Sequence, residues 1–292
     1  MANLKEVRTR ITSVNSTQQI TKAMKMVSAA KLRRAQEKIT QMRPYSKKLN
    51  EVLSNIVSNI DGDVDLSLAK ERIINRVLVV LVTSDRGLAG AFNTNLIKNV
   101  KVLLDTKYAA QAALGNVSIM CIGKKGNDFY KKRFNNVLSN HAELFSNLNF
   151  ESSSVISETI INDFKSGVYD AVDIVYSQFK NAATQVFQTE SFLPIQKVIA
   201  TKGASKSDYI FDPSATVILD ELFPKILKTQ FYRYLLENNA SEHGARMTAM
   251  DKATENAAEM LKDLKIKYNR ERQAAITTEL TEIVSGAAAL EG

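Results

Sequence analysis

The sequence predicts an α/β fold with a long antiparallel α-helical coiled coil, in which a mostly parallel sheet is inserted between an N-terminal and a C-terminal helix. Three observations predict it. Residues 1–60 hold no glycine and a single proline, Pro44, whereas glycine and proline collect in the middle of the chain. Apolar residues recur at helical spacings of 3 and 4 in both terminal segments. Between them, short β-branched runs alternate with helical patterns. Three parts follow: a coiled-coil helix over 1–60, an α/β domain over 74–200, and a coiled-coil helix over 212–290. The first and last pair as one unit.

In the first segment, Leu4, Val7, Ile11 and Val14 are spaced by 3, 4 and 3. The pattern resumes at Ile20, Ala23, Val27 and Ala30 after a jump of 6, so the seam is read as out of phase across Asn15–Gln19. Leu49, Val52, Leu53, Ile56, Val57 and Ile60 make a broader stripe. Helical throughout, the segment would span roughly 80 Å. Pro44 should kink it or cost ~3 kcal/mol against a regular interior.

The middle begins with VLVVLVT (77–83), a buried-strand run, and the turn SDRGLAG. Leu96, Val100, Leu103 and Leu104 mark a helix over 92–107. VSIMCIG (117–123) reads as a second buried strand, KKGNDFYKKRF as a helix, and 153–166 as another. AVDIVYSQF (171–179) is a third buried strand. QVFQTESFLPI (185–195) alternates like an exposed strand paired with its predecessor across Lys180–Thr184. Strands separated by helices imply a doubly wound, Rossmann-like sheet.

Asp212 as N-cap and Pro213 at the first helical position start the last helix. Met247, Met250, Thr254, Ala257, Leu261, Leu264 and Tyr268 keep strict 3–4 spacing. Ile276, Leu280, Ile283, Ala287 and Leu290 continue it, shifted by one residue. A seam this narrow is a coiled-coil signature, and a helix from 213 to about 287 would be roughly 110 Å long. Long helices with so thin an apolar stripe draw their stability from packing. The one partner of matching length is the opposite terminus, which lies antiparallel. At ~25 cal/mol per Å² buried, alanines in the seam hold it weakly, so something else is expected to enclose the tips.

Composition narrows the function. The chain has 292 residues, 45% hydrophobic and 24% charged, as in an ordinary soluble globular protein. No stretch reaches ~18 consecutive apolar residues, so a membrane connection would run through a partner. Cys121 is the sole cysteine, which rules out an internal disulfide or a CxxC pair and fits a reducing compartment. The Arg-, Ser- and Thr-rich start is like a transit peptide, but its helical repeat runs well past residue 30. The net charge of +8 is uneven: 12 Lys+Arg against 3 Asp+Glu in residues 1–60, and 10 against 12 in 213–292. A basic helix can meet nucleic acid, lipid or an acidic protein surface. Residues 1–44 contain no Phe, Tyr or Trp, so the aromatics of a single-strand nucleic-acid platform are missing.

No catalytic set is convincing. SDRGLAGAFN sits between strand and helix, where backbone N–H groups can face an anion, yet it matches neither GxxxxGK[ST] nor GxGxxG. The same holds for GKKGND (123–128). The two histidines, His141 and His243, have no GxSxG, HExxH or Cys/His cluster around them. Asp170 and Asp173 flank a strand and read as surface. No cofactor and no metal are expected.

ITKAMKMVSAAKLRRAQ near the start, TSDRGLAGAFN after the first strand, and EHGARMTAMDKATENA with YNRERQAAITTELTEIVSGAAAL at the end resemble the gamma subunit of F-type ATP synthases. The resemblance implies a non-catalytic rotor. Its antiparallel coil turns inside a hexamer of alternating alpha and beta subunits. Its base meets the epsilon subunit and the membrane c-ring, through which protons or sodium ions drive rotation. It implies contacts with the hexamer at Met24, Lys25, Arg272, Gln273 and Thr277, and an apical bearing from Ile283 to Leu290. It also implies a place on the cytoplasmic face of a bacterial inner membrane. Ala89 and Ala91 stand where the family usually has Cys and Gly. No cysteine-bearing insertion occurs, so the thiol switch of chloroplast relatives is expected to be absent.

Overall fold

The computed structural model describes residues 4–59, 68, 72–182, 184–195 and 215–291. The expected helix start at Asp212 and Pro213 lies outside these. The chain divides into two compact units, Ala29–Arg246 and the pairing of Met1–Ser28 with Met247–Gly292. Two long helices serve both: α1 (Leu4–Asn59) and α6 (Ala215–Glu291). Pro44 lies inside α1 and Pro224 inside α6, and both helices run on through them.

The larger unit is built on five strands, β1 (Val77–Val82), β2 (Val117–Ile122), β3 (Val137–Leu138), β4 (Ala171–Phe179) and β5 (Gln185–Leu193), in the order β3-β2-β1-β4-β5. β1 pairs parallel with β2 and with β4, β2 pairs parallel with β3, and β5 closes the edge antiparallel to β4. All six residues of β1 are buried, as a central parallel strand covered on both faces requires. On one face, Leu78, Val80 and Val82 pack with Ile160 and Phe164 of α5 (Phe150–Lys165) and with Phe231 and Leu235 of α6. On the other, Val77, Val79 and Leu81 pack with Phe92, Leu96 and Val100 of α2 (Phe92–Thr106). The sheet is thus wrapped by helices on both sides. α5 starts in a capping box, Asn149 accepting from the Ser152 backbone N–H at 2.7 Å.

Sequence periodicity missed α3 (Ala109–Ala113) and the two-residue strand β3, both too short to show a period. The helix expected over 124–134 stops early, as α4 (Lys124–Tyr130). Asp173 is not a surface residue. It lies within β4, fully buried, with the Lys107 ammonium at 2.7 Å and the Tyr108 hydroxyl at 3.0 Å. A lysine just past the end of α2 brings its charge to the carboxylate while its own side chain stays partly solvated. Burial and the adjacent carboxylate push the Tyr108 phenol well above its ordinary value.

In the smaller unit, three cross-helix contacts fix the register: Arg8 with Tyr268, Thr21 with Thr254, and Lys25 with Asp251. As one number rises the other falls by the same amount within one residue, which defines an antiparallel pair. On α6 the seam is the expected one, with Met250, Ala257, Leu261 and Leu264 buried. On α1 it is not. Ile20 and Val27 are 60% and 57% exposed, and Ala23 also faces outward. The covered residues are Val7, Ile11, Val14, Gln18, Thr21, Lys25 and Ser28, an unbroken 3–4 series. The apparent jump of 6 arose because polar side chains occupy this stretch of the seam. They satisfy themselves locally: Thr21 and Ser28 bond to carbonyls on their own helix, at 3.0 and 2.8 Å.

The continuation at Ile276, Leu280, Ile283 and Ala287 is likewise not a seam. The first three are 48%, 57% and 67% exposed, and Ala287 is exposed as well. With Arg8 opposite Tyr268, the described residues of α1, from Leu4 on, reach along α6 only as far as about Arg272.

Candidate functional site

Two arrangements stand out, one in each unit. The first is the outward surface of the coil. Ile276, Leu280 and Ile283 fall at i, i+4 and i+7, on one stripe of α6, with Val284 beside them at 66% exposure. A contiguous apolar stripe left open by the described residues marks an interaction surface. Arg272 and Gln273 lie just before it and Thr277 within it, all exposed. The Thr277 hydroxyl donates to the Gln273 carbonyl at 2.9 Å, so it holds its own helix and is free to accept. Arg272 forms no ion pair among the described residues. Met24 and Lys25 sit on the partly covered side of α1, and the Lys25 ammonium is paired with Asp251. Leu290 belongs to α6, and its side chain is outside the described residues. The structure therefore groups Arg272, Gln273, Thr277 and Ile283 on one exposed stretch and sets Met24 and Lys25 apart from them.

The second arrangement anchors α6 to the sheet within the larger unit. The turn after β1 is held internally: Asn93 accepts from the Ser84 N–H at 3.0 Å, and the Ser84 hydroxyl donates to the Arg86 carbonyl at 2.7 Å. Leu88 and Gly90 take positive φ of 64° and 58°. The resulting carbonyls face α6. The Arg246 guanidinium donates to the Arg86 and Gly87 carbonyls at 2.9 and 3.1 Å and is paired with Glu242 one turn earlier. Asn238 accepts from the Ser177 N–H at 3.0 Å, and Ser241 donates to the Ser177 carbonyl at 3.1 Å. Tyr234 reaches Glu190 at 2.7 Å, and Tyr176 donates to the other oxygen of the same carboxylate at 2.6 Å. Burial pushes Glu242 above the usual carboxylate range, while Arg246 pulls the other way. The turn that could have cradled phosphate instead offers its carbonyls to an arginine.

Sequence reading singled out TSDRGLAGAFN and EHGAR separately and missed that they bond to each other. The available signal was polar residues, Asn238, Ser241, Glu242 and Arg246, on the face of α6 that also carries Phe231 and Leu235. A helix face mixing apolar with polar residues at regular spacing meets backbone as well as core.

The sequence model of the ATP synthase family matches residues 3–290. The ATP synthase gamma chain of Cytophaga hutchinsonii is 56% identical over 293 residues, covering 99% of each chain. That of Flavobacterium psychrophilum is 53% identical over 292 residues, covering both chains completely. Among solved structures, the Tetrahymena thermophila mitochondrial ATP synthase central stalk and c-ring contains a chain that is 25% identical. It aligns over 80% of this chain and 99% of its own, with a TM-score of 0.57. A chain of the Euglena gracilis mitochondrial ATP synthase shares the fold at TM-score 0.68 and 20% identity, over 98% and 94%. End-to-end identity above one half, together with a central sheet set between two long helices, decides the family: the chain belongs to the ATP synthase gamma chains.

Proposed function

We propose that this chain is the central-stalk shaft of an F-type ATP synthase. It turns inside the alpha/beta hexamer and couples ion flow through the membrane c-ring to ATP synthesis or hydrolysis on the beta subunits. The carrying observation is the C-terminal stretch of α6, whose apolar stripe has no cover among the described residues. The relatives are gamma chains of ATP synthases, and one aligned structure is a central stalk with its c-ring.

The chain supplies geometry rather than catalysis. A shaft inside three like sites must present a different face to each, and its surface differs around the axis: basic on the α1 side, near neutral on the α6 side. Each side chain facing a beta subunit interacts differently with each beta conformation, and only such differential interaction shifts populations. Arg272, Gln273 and Thr277 are the residues assigned to that contact, with Ile283 and Leu290 at an apical bearing. Met24 and Lys25 are assigned to a separate contact with the hexamer, on the α1 side. The base binds the epsilon subunit and rests on the c-ring. Among the described residues no helix is long and apolar enough to cross a membrane, so attachment runs through those partners. The place assigned is the cytoplasmic face of the bacterial inner membrane.

The test is assembly followed by locking. Mixed with alpha and beta subunits, the chain should co-elute as one copy per hexamer. A disulfide engineered between the Ile283 position and a beta subunit should stop ATP turnover until it is reduced. Unchanged turnover after verified cross-linking would remove rotation from the account.

A further inference from the structure

Within the larger unit, α1, the turn after β1, the start of α4, the 3-10 turn Leu144–Asn147 and α6 enclose a cleft of about 470 Å³. Its lining is strongly polar, and its charges are unequally committed. Glu242 is engaged by Arg246, which also serves two backbone carbonyls. Asp85 accepts the Lys124 backbone N–H at 3.2 Å. The Lys124 ammonium meets Glu143 at 2.9 Å. Lys31 and Arg86 also line the cleft, and among the described residues neither cationic head has a hydrogen-bond or ion-pair partner. His243 lies at the same cleft with only 9% of its surface exposed, and its Nδ1 is buried without a partner.

We propose that this cleft is a binding site for a phosphate-bearing small molecule, drawn in by Lys31 and Arg86, with His243 in its wall. The lining sets Lys31, Arg86, Lys124 and Arg246 against Asp85 and Glu242, so its net charge is positive and selects an anion. Two cationic donors without partners call for a ligand with several acceptor oxygens, which phosphate provides and chloride does not. The volume exceeds that of a single ion and lies within the range of about 300–1,000 Å³ usual for small-molecule sites. Inorganic phosphate and a nucleoside diphosphate share this chemistry. The site stands apart from the outward stripe of α6 and does not depend on the shaft role.

The chain holds two histidines, His141 and His243, so ring-labelled histidine gives two separable sets of NMR signals in the full-length protein. Titration at constant pH with inorganic phosphate, and separately with ADP, should shift the His243 signals saturably and leave those of His141 in place. Saturation by phosphate identifies the phosphate group as sufficient; saturation by ADP alone identifies a nucleotide. Either supports the site. Lys31→Gln with Arg86→Gln should weaken binding by at least roughly tenfold, the loss of one charge-assisted contact or more. Both residues are exposed, so the fold should survive, as an unchanged melting curve will show. Lys98→Gln with Lys101→Gln, on exposed positions of α2, should bind as the parent does. No saturable shift with either ligand, an equal shift with sodium chloride, or undiminished binding in the Lys31/Arg86 variant would overturn the proposal.

Discussion

Arg246 joins two elements of the larger unit through buried charge and backbone contacts. It neutralises a buried carboxylate and caps two carbonyls of the β1–α2 turn. Arg246→Ala leaves Glu242 buried and unpaired, and should lower unfolding stability by about 3–5 kcal/mol in urea titrations. Adding Glu242→Gln should recover part of that loss, since the orphaned charge is then gone. His243, one residue away from Glu242 in sequence, gives a pH signature. Burial, with Arg246 and Lys31 nearby, holds its pKa at about 4 against an ordinary 6.5. The folded protein keeps the ring neutral while the unfolded chain protonates it. The stability it contributes is full above the unfolded value and is lost as pH falls through the folded one. The loss approaches about 3 kcal/mol near pH 4. Glu242 works in the opposite direction, because its raised pKa favours the folded state on acidification. The comparison that isolates the histidine is therefore the parent against His243→Gln: the variant's stability should fall less steeply between pH 6.5 and 4.

At the scale of elements, α6 changes character along its length. From Phe223 to Arg246 it is embedded, from Met247 to Tyr268 one stripe is covered, and beyond Ala275 none of the described residues covers it. Deleting residues 276–292 should move the melting midpoint of the isolated chain by no more than about 1–2 °C, because little native contact is lost. The same deletion should reduce assembly with the hexamer. Amide exchange should follow the same gradient, slowest near Phe231 and Leu235 and fastest past Ala275. These differences also explain what could be read in the sequence. The strands at 77–82, 117–122 and 171–179 were legible because parallel central strands must be apolar on both faces. The seam from Met247 to Tyr268 was legible because its spacing is strict. The α1 seam was not, since Gln18, Thr21, Lys25 and Ser28 fill it while Ile20 and Val27 face outward. Hydrophobic periodicity reports where apolar residues lie, and here their outward stripe follows the same 3–4 rhythm as the seam. The Ile276–Ile283 repeat misled for a related reason: the period was real, but its partner is not among the described residues. Asp173 stayed hidden because a buried charge is recognised by its counter-charge, and Lys107 comes to it only through the fold; Arg246 stayed hidden because its pair with Glu242, one helical turn away, reads like any solvated i,i+4 pair.

On the scale of the whole molecule, the chain passes between its two units only twice, at Ser28/Ala29 on α1 and at Arg246/Met247 on α6. A shaft that carries torque must transmit it across those two crossings. A helix transmits twist only as stiffly as it is held, and α6 is held just before its crossing by Tyr234, Asn238, Ser241 and Arg246, each bonded to the sheet, its partner Glu190, or the β1–α2 turn. Loosening that grip should leave events in the hexamer intact while allowing the base to lag behind. A complex carrying Asn238→Ala with Ser241→Ala should therefore retain most of its ATP hydrolysis yet move fewer ions per ATP hydrolysed. Acidification of inverted vesicles, measured together with hydrolysis on the same preparation, reads that ratio. The two side chains together make two bonds to the Ser177 backbone, worth about 1 kcal/mol each net, plus the cost of leaving the Ser177 N–H unsatisfied. That sum softens the attachment without unfolding a body whose core is otherwise untouched. Equal losses of hydrolysis and ion movement would mean that these bonds serve folding alone, and that torque reaches the base by way of α1.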